Sequence, residues 1–122
     1  MFILYHITSS VIEGVIINKD FYNLHSEICK TFSNSSRLKI IAELKNMSIT
    51  VTELTKKIGI PQANISQHLA ILKSRGLVST EREGNNIYYS ISNIKLIRVF
   101  DLICEMLEES FQKNHQTSSR CD

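Results

Sequence analysis

Two residues, Gly59 and Ile60, separate two helical patterns near the middle of the chain, and this spacing narrows the fold more than any other feature. Upstream, Thr50-Val51-Thr52-Glu53 has the S/T-x-x-E spacing in which a cap hydroxyl and a Glu carboxylate satisfy each other's exposed backbone N–H groups. It predicts a short helix through Ile58, with Leu54 and Ile58 turned inward and Gly59 suited to a left-handed stop. Downstream, Pro61 has the fixed φ of a first helical turn and opens a second helix that ends at Gly76. Two short helices joined so closely have helix-turn-helix spacing.

The flanks extend the pattern. Over residues 19–32, Phe21, Leu24, Ile28 and Phe32 recur every three or four positions, as on one helical face. Asn34-Ser35-Ser36 can cap the next helix, whose buried stripe is Leu38, Ile41 and Leu44. After Gly76 the periodicity becomes that of strands: 77–82, a turn at Glu83-Gly84-Asn85-Asn86, then 87–91. From Asn93 to about Gln112 a last helix carries Leu96, Phe100, Ile103 and Leu107 on one stripe, a spacing suited to packing against another helix. The expected fold is mainly α with a small β-hairpin. It is a winged helix-turn-helix of about five helices plus a two-stranded wing.

At 122 residues one domain is expected, and 43% hydrophobic with 21% charged residues excludes disorder over most of the length. Cys29, Cys104 and Cys121 are odd in number and widely spaced, which argues against a secreted disulfide framework and a CxxC zinc site. The apolar N-terminus lacks a basic region, and no apolar run is long enough to span a membrane, so a cytoplasmic location is expected. Net charge is only +2, but residues 34–92 hold eight basic side chains against four acidic ones. The middle of the chain is the part suited to a polyanion.

In the helix after Pro61, Ile65, Leu69 and Leu72 fall within a narrow arc and anchor it to the core. Ala63 and Gln67 point away from that arc, Asn64 and Ser66 flank it, and Gln62 lies in the first turn, with Lys73 and Arg75 towards the other end. Amide side chains can pair with an adenine edge in the major groove, and short neighbours allow close approach. The alternative is plain polar surface. His68, at the edge of the core arc, either meets a phosphate or hydrogen-bonds inside the domain. Arg82 in the hairpin is the cation for a flanking phosphate. No nucleophile with its base, no inward carboxylate pair and no phosphate loop appears, which excludes the common enzyme classes.

The string Gln62-x-x-x-Ser66-x-His68-Leu69-x-x-Leu72-x-x-x-Gly76-Leu77-Val78, followed by Arg82-Glu83-Gly84 and Tyr88-Tyr89, resembles the ArsR/SmtB family of repressors. The resemblance covers roughly residues 19–112. It implies a winged-helix homodimer, assembled through its first and last helices, that represses an operon by binding a double-stranded operator until an effector weakens the grip. The domain would span 18–112, preceded by an extension over 1–17 and followed by a flexible tail over 113–122. Candidate DNA contacts are Thr52, Gln62, Ala63, Asn64, Ser66, Gln67, His68, Lys73 and Arg82.

Three departures from the family pattern matter. Its Cys-x-Cys metalloid site corresponds here to Thr50-Val51-Thr52, and its zinc ligands to Asn93, Lys95, Met106 and Glu109, so no metal site is expected. Asn85 replaces a common wing cation, and Pro61 a common Ser cap. The effector and any cofactor stay open. Cys29 and Cys104, on helices expected to pack together at the dimer, are candidates for a redox or persulfide switch, or else are small buried hydrophobes. Asp101, Glu105, Glu108 and Glu109 read as a solvated face. A winged helix used only for protein contact is the remaining alternative.

Overall fold

The computed structural model describes residues 19–114, and the expected extension and nearly all of the expected tail, Cys121 included, lie outside them. The chain divides into two compact units, with the boundary after Ser33, and each is described by itself.

The first unit contains α1 (Lys19–Thr31). Phe21 and Tyr22 meet edge-on at 5.4 Å between ring centroids. Phe21 and Ile28 are half-buried while Leu24 is exposed, so the expected face is only partly covered. Two tight turns, Phe32 N to Cys29 O at 3.0 Å and Ser33 N to Lys30 O at 3.1 Å, close the helix.

The second unit begins at Asn34, whose Oδ1 accepts from Arg37 N at 3.0 Å and starts α2 (Ser35–Leu44). There follow β1 (Ile49–Thr50), α3 (Val51–Ile58), α4 (Gln62–Ser74), β2 (Val78–Glu83), β3 (Asn86–Ile91) and α5 (Ile94–Asn114). The expected two-stranded wing is present as the hairpin of β2 and β3, and the sheet extends beyond it. A third strand, β1, pairs antiparallel with β3 and gives the sheet order β1-β3-β2. Two residues have no alternation to read, which is why the sequence does not announce this strand. Thr50 thereby serves twice, as strand partner of Tyr88 and as the cap of α3.

The core gathers Ile40, Ile41, Leu54, Ile65, Leu69 and Leu72, each fully buried, with Ile49 and Val78 brought in by the sheet. Each such side chain contributes about 1.5–3 kcal/mol relative to exposure. In α2 the buried stripe is Ile40, Ile41 and Leu44, with Leu38 only half-buried.

The last helix also differs from expectation. Its buried stripe is Leu96, Phe100 and Cys104, whereas Ile103 and Leu107 are 43% and 45% exposed. At about 100° per residue, its apolar side chains from Leu96 onward cover an arc of about 220°, wider than a single core contact can bury. Val99, Leu102, Ile103 and Met106 form a second, exposed apolar face. The helix also runs to Asn114, two residues past its expected end at Gln112.

Candidate nucleic-acid interface

Local chemistry shapes the helix pair. Glu53 N donates to Thr50 Oγ1 at 3.2 Å, and that hydroxyl donates to Glu53 Oε1 at 3.4 Å, so the carboxylate reinforces the cap through the hydroxyl. α3 stops at Gly59, at φ +80, whose N–H reaches Thr55 O at 2.9 Å. Pro61 is not the first helical residue. At φ −55 and ψ 142 it is the cap of α4, and its carbonyl accepts from Asn64 N at 3.0 Å and Ile65 N at 3.2 Å. A proline cap has no side-chain acceptor, and α4 has no acidic residue in its first turn. The positive end of this helix dipole is therefore left uncompensated by its own side chains.

Ile65, Leu69 and Leu72 fasten α4 to the core, and this fixes what its other faces present. Gln62, Ala63, Asn64, Ser66 and Gln67 are all exposed, as is Thr52 in the first turn of α3. The helix ends in a left-handed Gly76, at φ +72, with Leu77 N reaching back to Leu72 O at 3.0 Å. That stop turns the chain into β2.

The sheet sorts the charges of the wing. Val78, Thr80 and Arg82 share one face with Ile91, Tyr89 and Ile87, and Val78 marks it as the core-side face. Glu81 and Glu83 lie on the other face, opposite Tyr88 and Asn86. Glu81-Arg82-Glu83, acidic in sequence, thus offers an arginine alone on the α4 side. Lys73 Nζ donates to Thr80 Oγ1 at 3.4 Å, which brings the end of α4 against the same face. The loop is two residues, Gly84-Asn85, with φ +65 at Gly84 and no positive φ at Asn85, the pattern of a type II′ turn. Arg82 sits one pair below the last rung.

His68 is half-buried, and its Nδ1 lies 3.4 Å from Arg37 Nη1 on α2. Burial, and secondarily the Arg37 charge, hold its pKa below the usual 6.5. It therefore faces inward, unlike the other candidate contacts. Nothing in the sequence pattern points to Arg37, because no local periodicity links it to a residue 31 positions away.

Cys29 is exposed on α1, with Sγ 3.5 Å from His25 Nδ1, while Cys104 is buried on α5. The two belong to separate compact units. Of the acidic cluster, Asp101 is not simply solvated: its Oδ1 lies 2.7 Å from Lys45 Nζ. Among the described residues, no group of three or more His, Cys, Asp or Glu side chains is placed to hold a metal ion. No described helix is long and apolar enough to cross a membrane.

Residues 34–80 match the family model of the bacterial regulatory proteins of the arsR family. The transcriptional repressor PagR of Bacillus anthracis is 35% identical over 79 residues, which is 64% of this chain and 79% of PagR. The transcriptional activator HlyU of Vibrio cholerae is 32% identical over 76 residues, 62% of this chain and 70% of HlyU. The solved structure of reduced HlyU superimposes with a TM-score of 0.65 at 27% identity, covering 72% of this chain and 93% of that one. A homodimeric winged helix-turn-helix DNA-binding domain from Mycobacterium bovis, solved by NMR, gives a TM-score of 0.73 at 28% identity, covering 80% and 90%.

Proposed function

Since the chain belongs to the ArsR family and is a winged helix-turn-helix transcriptional regulator, we propose that it is a homodimeric repressor that reads an operator with α4 and grips the flanking phosphates with its wing. The observation that carries this reading is the exposed face of α4. Gln62, Asn64, Ser66 and Gln67 supply amide and hydroxyl groups for base edges, Ala63 keeps the approach close, and no carboxylate repels the duplex. Lys73 and Arg82 stand at the α4 side of the wing as phosphate cations, and Thr52, exposed in the first turn of α3, adds a hydroxyl. His68 supports the helix from within.

The homodimer accounts for the second apolar face of α5. Val99, Leu102, Ile103 and Met106 form a helical stripe of the kind that another helix covers, and the M. bovis neighbour is homodimeric. A chain of this kind acts in the cytoplasm. The domain so defined extends over 18–112, flanked by the segments 1–17 and 113–122.

The test is titration of the duplex upstream of the chain's own gene, followed by fluorescence anisotropy at two salt concentrations with competitor DNA. Specific binding that survives competitor and weakens as salt rises is expected. No binding to any duplex would favour a protein-contact module instead.

A second reading concerns release from the operator. Cys29 is exposed beside His25 Nδ1, and HlyU has been solved in a reduced form, which supports thiol chemistry as the effector signal. Cysteine-to-serine variants at positions 29 and 104 should keep operator affinity and lose any response to peroxide or persulfide. An unchanged response would sink this second reading.

A further inference from the structure

A guanidinium has five N–H donors and no acceptor. The 3.4 Å contact between Arg37 Nη1 and His68 Nδ1 therefore needs a lone pair on Nδ1. It follows that the imidazole is neutral and carries its one ring proton on Nε2. The main chain of Arg37 is held in place, because its backbone N–H donates to the Asn34 cap at the start of α2. On the other side, His68 precedes Leu69, fully buried in α4. The pair thus joins a helix cap to the middle of the reading helix.

From this geometry we propose that Arg37 is a positioning residue for operator recognition: it clamps α4 to α2 through neutral His68, and protonation of His68 opens the clamp and weakens operator binding. The proposal rests on α4 being the reading helix. A protonated ring has no acceptor for Arg37 and sets a second cation beside the guanidinium, close to the positive end of α2.

Among the described residues of the elements packed on α4, the carboxylates are engaged elsewhere or lie on the far face of the sheet. The elements packed on α4 bring Arg37, Lys39 and Glu43 from α2, Glu53, Lys56 and Lys57 from α3, and Glu81, Arg82 and Glu83 from β2. Glu43 is engaged with Lys57 at 3.8 Å and Glu53 with the Thr50 cap. Glu81 and Glu83 lie on the far face of the sheet. Lys73, on α4 itself, is a further cation. Among the described residues, Arg37 is the charge that shifts His68, and burial acts in the same direction.

The sign of the pH dependence separates this proposal from its rival. A histidine touching a phosphate directly gains charge on acidification and binds DNA more tightly. A clamp that must stay neutral does the opposite. Operator affinity should fall as the pH drops through the His68 titration, by up to about tenfold per pH unit for each reading helix.

The experiment measures operator affinity by anisotropy between about pH 8 and about pH 5.5, where histidine titrates, for the full chain and for His68→Gln. Glutamine offers Arg37 an acceptor that does not titrate. The full chain should lose affinity in acid, and His68→Gln should show a flat profile. In parallel, nitrogen-15 NMR of the free protein should show His68 as the Nε2–H tautomer, and Arg37→Gln should move its titration towards the usual histidine range. Affinity that rises in acid, an Nδ1–H tautomer, or a sloping His68→Gln profile would overturn the proposal. Failure of the full chain to bind any duplex at pH 8 would instead overturn the assignment of α4 as reading helix. The NMR result judges the clamp independently of that.

Discussion

Lys45 Nζ lies 2.7 Å from Asp101 Oδ1 and 5.7 Å from the centroid of the Phe100 ring, so one ammonium just past α2 meets both a carboxylate and an aromatic face on α5. The Lys45 side chain is 20% exposed and that of Asp101 43%, so water screens the pair from one side only. This contact fastens the last helix to the body of the domain beside the buried Leu96–Phe100–Cys104 stripe.

A double-mutant cycle on Lys45→Ala and Asp101→Ala should therefore return a coupling of about 0.5–1 kcal/mol, the upper part of the range for partly exposed pairs. Urea unfolding of the four proteins measures it. A coupling indistinguishable from zero would mean that Phe100 packing, not the ion pair, holds α5 in place.

The two faces of α5 and α4 predict opposite outcomes for two substitutions. Leu69→Ala removes a fully buried side chain and should cost about 2–5 kcal/mol of folding stability. Ile103→Glu, at an exposed position, should leave the fold of each subunit intact but lower the solution mass to that of a monomer and weaken operator binding. Light scattering with urea unfolding checks both, and a dimeric Ile103→Glu would remove this face from the subunit contact.

The helix pair depends on its punctuation. Thr50→Ala deletes the cap acceptor for Glu53 N and should cost about 1 kcal/mol. A Cβ at Gly59 would meet nothing within 4 Å, so Gly59→Ala is penalised only for the left-handed φ of +80. That penalty is about 1–2 kcal/mol. Thermal unfolding of each variant decides, and a cost near zero at Gly59 would show that the turn can relax.

Folding stability should carry its own signature of His68, whose folded pKa is lowered by burial and by Arg37 from the ordinary 6.5. For a base lowered in the folded state, the unfolded chain takes up the proton first. Stability contributed by the neutral ring is thus complete above about pH 6.5, falls as pH drops below it, and levels off beneath the folded pKa. Urea unfolding across that window should show the slope in the native chain and its loss in His68→Gln. A slope of opposite sign would require a carboxylate partner for the ring.

On DNA, the reading helix and the wing should fail differently. Replacing Ser66 and Gln67 with alanine should reduce discrimination between operator and random duplex by about 1–3 kcal/mol for each base edge no longer read. Arg82→Ala should weaken binding to all sequences alike and lower the salt slope by about one. Anisotropy against matched and scrambled duplexes at several salt concentrations separates the two patterns.

The helix-turn-helix is legible in the sequence because its determinants are local. Thr50 with Glu53, then Gly59, then Ile65, Leu69 and Leu72 all act within one or two turns of chain, and the structure puts each where its chemistry demands. Pro61 takes the cap rather than the first turn, since a proline suits both positions. Strand β1 is invisible in the sequence because its partner Tyr89 lies 40 residues on, and two residues carry no period. The His68–Arg37 and Lys45–Asp101 contacts join distant positions, so only the fold reveals them. The helical angle of α5 correctly places its apolar side chains on one side. It does not tell which half of a wide arc the domain covers.

Thr50 closes one strand and opens one helix, so the wing and the helix pair share a residue where a flexible joint would otherwise lie. Each reading head is consequently a stiff jaw: the sheet cannot swing away from α4 without uncapping α3. In a homodimer such jaws act like a caliper. Successive major grooves on one side of the duplex are about 34 Å apart, and the gap between the jaws is the adjustable quantity. In the proposed homodimer, a signal that releases DNA would have no need to bend either jaw, since resetting the gap at α5 would be enough.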